Sequence, residues 1–220
     1  DSERRRFLIH SSNLGILALA SGASGYGFFE AHHRASIEEV LVPLRGLPPE
    51  FDGFRIVQFT DLHVGPTIKQ DFVERVAGQV MELKPDLIAF TGDLVDGSVS
   101  WLKDDVAPLA FLRAPFGTYF VTGNHEYYSG AKSWIREAER LGFDVLMNEH
   151  RVIRNGSAGI VRAGVTDSGA AEFIPDHASD PAAAIDGAPG ETASILLAHQ
   201  PRSIAAAERA GFGLQLSGHT

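Results

Sequence analysis

Arg55-Ile56-Val57-Gln58-Phe59-Thr60-Asp61-Leu62-His63 is the stretch from which the fold is read. Its first six residues are a β-branched and aromatic run of strand length, and two side chains able to bind a cation stand where that strand must end. Downstream, Val73, Val76, Val80 and Leu83 recur on one helical face before Pro85 stops the helix. The strand-then-helix unit then repeats. A strand over 87–91 precedes an expected helix over 104–112, and a strand over 118–122 precedes a helix carrying Trp134, Ile135, Ala138 and Leu141, closed by Gly142. Such alternation predicts an α/β sheet. Upstream, residues 31–54 read as a linker and lead-in strand, with Pro43, Pro48 and Pro49 as punctuation and an alternating stretch over 37–42.

Beyond the third unit the rhythm changes. Strands over 152–154 and 159–165 flank Asn155-Gly156, a hairpin signal, because those residues tolerate the positive φ that tight turns require. Residues 167–192 are rich in Ala, Pro, Gly and Asp and read as irregular surface chain with room to lie over a site. The α/β rhythm returns with a strand over 194–198, a helix opened by Pro201 and closed by Gly211, and a strand over 214–217.

Composition narrows the chemistry. The 220 residues, 44% of them hydrophobic, suffice for one substantial core over 55–220 but not for several domains. Nineteen basic against 28 acidic residues leave a net charge of −9, which argues against a nucleic-acid binder held on by a basic face. There are no cysteines, so any metal must use nitrogen and oxygen ligands.

The first thirty residues stand apart. Arg4, Arg5 and Arg6 precede Phe7 and Leu8, and residues 11–29 carry no charged side chain. The order Arg-Arg-x-Phe-Leu resembles a twin-arginine export signal, with Ala18-Leu19-Ala20 suiting its cleavage site. The same stretch also reads as a single membrane span, with the arginines keeping the N-terminus cytoplasmic. Both readings place the rest of the chain outside the cytoplasm, the second with membrane association through 11–29. The remaining alternative is an ordinary helix rich in small residues, weakened by Gly15, Gly22, Gly25 and Gly27.

The functional signal lies at the strand ends. Asp61 and His63 follow the first strand, Asp93 the second, Asn124 and His125 the third, and His199 and His219 the last two. Loops at the carboxyl ends of α/β strands can converge on a ligand while the sheet stays rigid. Singly, an Asp-x-His or a Gly-Asp proves little. In order, Asp61-Leu62-His63, Gly92-Asp93, Gly123-Asn124-His125-Glu126, His199 and Gly218-His219 resemble the calcineurin-like metallophosphoesterase superfamily, from about Arg55 onward. Thr-Asp-Leu-His, Thr-Gly-Asp-Leu-Val-Asp and Gly-Asn-His-Glu-Tyr look most like its bacterial exported or membrane-anchored phosphohydrolase branch.

That resemblance implies a four-layer α/β sandwich of two mixed β-sheets flanked by helices. It also implies a first metal held by Asp61, His63 and Asp93 and a second held by Asp93, Asn124, His199 and His219, with Asp93 bridging. Imidazole and carboxylate suit Mn, Fe or Zn, and a shared carboxylate holds two such ions roughly 3.5 to 4 Å apart. Two divalent cations then meet only two ligand carboxylates, so the site stays positive and attracts phosphate. The implied reaction is attack of a metal-activated hydroxide on phosphorus, with His125 as general acid. Asp96, in Gly92-Asp93-Leu94-Val95-Asp96, either orients His125 or is a solvated turn carboxylate.

Other groups have plainer readings. Trp101, Tyr127 and Tyr128 either line a substrate groove or pack. His10, His32, His33, His150 and His177 read as surface residues, and Glu126 as a support for the ligand loop. Gly65, Gly92, Gly123 and Gly218 read as turn formers. The superfamily's final motif is Gly-His-x-His, and the chain stops at Thr220 before the second histidine. The expectation is therefore a truncated piece that holds the second metal better than the first. The expected substrate is a small-molecule or lipid-like phosphoester, mono or di. A non-catalytic metal-binding scaffold is the alternative from another class, and a nuclease needs a basic groove that the net charge does not promise.

Overall fold

The structure, a computed structural model, describes residues 2–31, 35–190 and 192–219, with side chains 28–31 aside. The chain divides into two compact units, residues 1–38 and 39–220. The first is a single helix, α1 (Ser2–Ala31), whose stretch Ser2–Gly27 has the length and composition to cross a membrane and buries nothing. It continues through Gly15, Gly22 and Gly25 without a break. His32 and His33 lie outside the described residues.

The second unit holds two four-stranded sheets. In the first, β1 (Ile56–Phe59), β2 (Leu87–Phe90), β3 (Thr118–Phe120) and β4 (Asp144–Val145) lie side by side in that order, all parallel. In the second, β5 (Glu149–Asn155) is antiparallel to β6 (Ala158–Gly164), and β7 (Ser194–Leu197) and β8 (Leu214–Leu216) follow in parallel. The second sheet is thus mixed as expected, whereas the described strands of the first are not, because each connection between them crosses over rather than turning back.

Alternation along the strands builds the layers. On β2, Ile88 and Phe90 face outward onto α2 (Gln70–Glu82) and α5 (Ala131–Arg140), through Val73, Val76, Val80, Trp134 and Ala138. Leu87 and Ala89 face inward onto Ile153, Ile160, Ile195 and Leu197 of the second sheet. The outer face of that sheet, Ala163 and Leu196 with Ala198, packs against Ala184 of α6 (Pro181–Ile185) and Ala207 of α7 (Ile204–Ala210). Every side chain of β2 is 0–1% exposed, the continuous apolar run expected of a parallel strand covered on both sides. The result is the four-layer sandwich.

Local sequence explains most element ends. Both α5 and α7 close with a left-handed glycine: Gly142 (φ 98) and Gly211 (φ 89), each followed by a buried-side contact back to the helix through Phe143 N→Ala138 O and Phe212 N→Ala207 O. The hairpin register pairs Asn155 with Ala158, so the two turn residues are Gly156 (φ 60) and Ser157 rather than Asn155-Gly156. Other expectations are corrected. No strand forms over 37–42, where Val40 and Leu41 are exposed and, among the described residues, no strand pairs with the segment. The helix expected over 104–112 is instead a 3₁₀ segment, Ala107–Phe111, after the one-turn α3 (Val99–Leu102), with Pro108 in its first turn. The irregular segment after 167 contains α6 and two 3₁₀ turns, Ala170–Glu172 and Pro175–His177. The short β4 and a six-residue helix α4 (Asn124–Ser129) are too brief to leave a periodic signal.

Candidate metal centre

The loops after β1 and β2 continue side by side beyond the sheet. Asp61 N donates to Gly92 O at 3.0 Å, His63 N to Asp93 O at 3.2 Å, and Val64 pairs with Val95 in a lone parallel bridge. This zipper sets Asp61, His63, Asp93 and Asp96 in fixed register. The loop after β3 arrives from the same edge with Asn124 and His125. The second sheet closes on it from the far side, tied by Gln58 Nε2→Ser217 O at 2.8 Å and His219 N→Asp61 Oδ2 at 3.1 Å, while Gly218 N→His199 O at 2.9 Å joins its own two loops.

Six candidate ligands thereby converge. Ligand atoms of Asp61, Asp93, His199 and His219 all lie within 4.8 Å of one another. His199 is fully buried; its Nδ1–H donates to Thr91 O at 2.7 Å, since a carbonyl can only accept, and this aims Nε2 inward. That nitrogen meets Asp93 Oδ2 at 3.2 Å, Asn124 Oδ1 at 3.1 Å and His219 Nδ1 at 3.0 Å. On the other side of Asp93, His63 Nε2 lies 3.7 Å from the same Oδ2 and 3.8 Å from Asp61 Oδ1. Donors sharing one cation at bonds of about 2 Å stand roughly 3 Å or a little more apart. The donor set and its spacing therefore fit divalent metal, with Asp93 Oδ2 facing both groups.

Electrostatics agree. Burial pushes the Asp93 carboxyl up, but hydrogen bonds from His199 and the His125 backbone N–H outweigh it and leave the group below its ordinary value. Burial pushes His199 down, and Asp93 together with the Thr91 carbonyl reverses this, so its imidazole is raised. Beneath them Glu126, fully buried, accepts from Gly123 N at 2.7 Å, Asp93 N at 3.0 Å and Leu94 N at 2.8 Å, which is the support expected of it. Burial and the Asp93 charge push its carboxyl up to about 7 despite those three donors.

His125 and Asp96 stand at the rim. Asp96 Oδ1 lies 2.5 Å from His125 Nδ1 and 3.1 Å from His63 Nδ1. A carboxylate accepts only, so both rings carry hydrogen on Nδ1 and turn Nε2 away from Asp96. Asp96 is thus no free turn carboxylate, and it touches a ligand candidate as well as His125.

Some contributors left no motif. Thr60 Oγ1 donates to Asp61 Oδ2 at 2.6 Å, and His219 N to the same oxygen at 3.1 Å. Gly123 and Gly218 act by close approach rather than as turn formers. A Cβ at Gly123 would collide with Asp93 Oδ1 and lie 2.6 Å from Asp93 N, and one at Gly218 would collide with Thr60 Oγ1 and lie 2.5 Å from Asp61 Oδ2. Gly92 (φ 95) is both a turn and an approach, since a Cβ there would lie 2.6 Å from Gly123 N. Tyr127 is buried and hydrogen-bonds His177 Nδ1 at 3.0 Å, so His177 is a half-buried anchor rather than a bare surface histidine. His150 likewise donates to Ala184 O at 3.0 Å. Trp101, 53% exposed, lies under Lys69 Nζ.

Comparison with known proteins agrees with this geometry. Residues 54–220 match the calcineurin-like phosphoesterase family. A transmembrane protein with metallophosphoesterase domain from Danio rerio is 36% identical over 202 residues, covering 89% of this chain and 46% of that protein. An uncharacterized metallophosphoesterase of Helicobacter pylori is 34% identical over 221 residues, covering 99% of this chain and 57% of that protein. The chain thus spans about half the length of the curated relatives it matches. Among solved structures, the Haemophilus influenzae NAD nucleotidase superposes with a TM-score of 0.53 at 16% identity, covering 76% of this chain and 38% of that one, a likeness of fold. With the family matched over residues 54–220 and the candidate ligand groups gathered at one edge, this chain belongs to the calcineurin-like phosphoesterases.

Proposed function

We propose that the chain hydrolyses phosphate esters, monoester or diester, with two divalent cations held by Asp61, His63 and Asp93 on one side and by Asp93, Asn124, His199 and His219 on the other. The observation that carries this reading is the meeting of His199 Nε2 with Asp93 Oδ2, Asn124 Oδ1 and His219 Nδ1 at 3.0–3.2 Å, four lone-pair donors facing one point. Cations bound there supply Lewis-acid stabilisation of phosphoryl charge and activate water for attack near neutral pH. Imidazole and carboxylate suit Mn, Fe or Zn.

The chain's own residues do the rest. Thr91 fixes the His199 tautomer, Asp93 joins the two halves, and neutral Asn124 leaves the site with a positive surplus that draws phosphate despite the acidic surface. His125, held at Nδ1 by Asp96, presents Nε2 at the rim, where its proton passes to the leaving oxygen. Asp96 is a positioning residue for both His125 and His63. The helix α1, together with a relative named as a transmembrane protein, supports membrane association. Arg4, Arg5 and Arg6 ahead of the apolar stretch favour a cytoplasmic N-terminus and an outward-facing unit, exported or anchored.

The test is a chromogenic phosphodiester and monoester assayed with Mn added or chelated, alongside elemental analysis. Turnover should vanish on chelation and return with Mn. His125→Ala should keep the metal content while kcat falls by about 100-fold or more, and Asp93→Asn should lose both metal and turnover. A metal-binding scaffold without chemistry would load Mn and show no turnover in any of the three proteins.

A further inference from the structure

An open cleft of about 430 Å³ adjoins the rim of the site, lined by Asp96, Gly97, Ser98, His125, Tyr128 and Ser129. It begins at His125, the residue assigned to the leaving oxygen, so it lies where the departing alcohol must go. Its one large apolar wall is Tyr128, 61% exposed, with its ring centroid 5.2 Å from that of His125. Behind Tyr128 stands Phe173, 50% exposed, at 5.4 Å. Single exposed aromatics need no explanation, but here three rings form a continuous row leading out from the reacting position.

The row is built rather than accidental. Phe173 comes from the chain after β6, and that segment is pinned to α4 from beneath. Tyr127 is buried against Ala131 and Ala170, and its hydroxyl meets His177 Nδ1 at 3.0 Å. Gly169 N→Asp167 Oδ1 at 2.8 Å and Ile174 N→Ala170 O at 2.9 Å fold the turn that carries Phe173, and Asp167 Oδ2 is held in turn by Gln200 Nε2 at 2.8 Å. A wall ordered in advance spares a ligand much of the entropy of assembling it.

We infer that this cleft is a leaving-group subsite for a planar ring, with Tyr128 as its stacking face and Phe173 as its support. A fatty chain fits poorly, because it needs apolar lining on several sides, whereas apart from Tyr128 the lining here is Asp96, Gly97, Ser98, His125 and Ser129. A flat ring needs one apolar face and finds hydroxyls for heteroatoms at its edge. The inference rests on the proposed hydrolysis, since it places the ring on the alcohol that His125 protonates.

The test uses the Mn-loaded protein with 2-naphthyl and phenyl phosphate, whose leaving groups have similar acidity, as monoesters and as their methyl diesters. The naphthyl ester should be preferred by about tenfold in kcat/KM, mostly through KM, because the ring is held alike in ground and transition states. Tyr128→Ala and Tyr128→Leu should both erase the preference, Tyr128→Phe should retain it, and Phe173→Ala should reduce it. Retention of the preference in Tyr128→Leu would show simple apolar contact and overturn the stacking claim, as would equal kcat/KM for the two esters in the unaltered protein. A fall in kcat for both esters alike would mark a structural effect and also overturn it. Absence of metal-dependent release from either ester would instead remove the hydrolase reading itself, and the subsite with it.

Discussion

Four of the six non-glycine residues with positive φ among the described residues are proposed ligands: Asp61 (φ 54), His63 (φ 46), Asp93 (φ 56) and His219 (φ 56). Left-handed backbone at such residues costs of order 1–3 kcal/mol each and persists only where the surroundings impose it. Here the zipper between the β1 and β2 loops imposes it on the first three, and that geometry turns side chains from separate strands toward one point. The neighbouring glycines make the approach possible. Gly123→Ala is expected to lower stability by more than about 2 kcal/mol and to abolish tight metal binding, read by urea denaturation and metal titration, because the new methyl group must displace the Asp93 carboxylate. Glu126 yields a pH prediction. Its carboxyl is raised from 4.5 to about 7 in the fold, so between those values the folded chain binds more protons than the unfolded one. Its contribution is complete below 4.5 and is lost as pH rises through 7, an amount of about 3 kcal/mol in the metal-free protein. Glu126→Gln should flatten that loss, at the expense of one of the three hydrogen bonds, when urea midpoints are compared across pH 4.5 to 8. A variant with the same slope as the parent would place the titration elsewhere.

At the scale of elements, helix α1 shows why composition and length outrank propensity. Gly15, Gly22 and Gly25 each cost about 1 kcal/mol relative to Ala in a water-exposed helix, yet the helix is continuous over 30 residues. In a bilayer every backbone group must be satisfied within the segment, which favours helix whatever the residue. The protein is therefore expected to float with lipid vesicles, and a variant beginning at Ala35 to stay in the aqueous phase, as flotation gradients would show. The rest of the element record was legible where the pattern was long. The helix containing Val73, Val76 and Val80 and the one containing Trp134 and Ala138 appear where the apolar spacing placed them, because a 3.6-residue repeat over three turns admits no other reading. The expected strand over 37–42 failed because alternation describes a strand's faces but not the neighbour that must bond its edges.

For the whole molecule, the contact between the two sheets holds a group that no pattern foretold. Arg162 on β6 is 1% exposed, its Nε, Nη1 and Nη2 have no hydrogen-bond partner among the described residues, and its guanidinium lies over the ring of Tyr119 from the first sheet. Burial alone pushes its pKa down. Burying an ion costs several kcal/mol, which no pairing among the described residues offsets here, so Arg162→Met is expected to raise the unfolding free energy by roughly 1 kcal/mol or more. A loss of stability in urea would mean that the charge is needed at the interface. The candidate ligands at the strand ends, the α/β alternation and the N-terminal apolar segment were determined by the amino-acid sequence alone, because each depends on residue type at short spacing. Only the tertiary structure decided that the first sheet's described strands are all parallel, that Asp96 serves two histidines, that Gly123 and Gly218 are there for close approach, and that Phe173 stands beside Tyr128. Those facts depend on which distant segments meet, and local sequence carries no record of a distance across space.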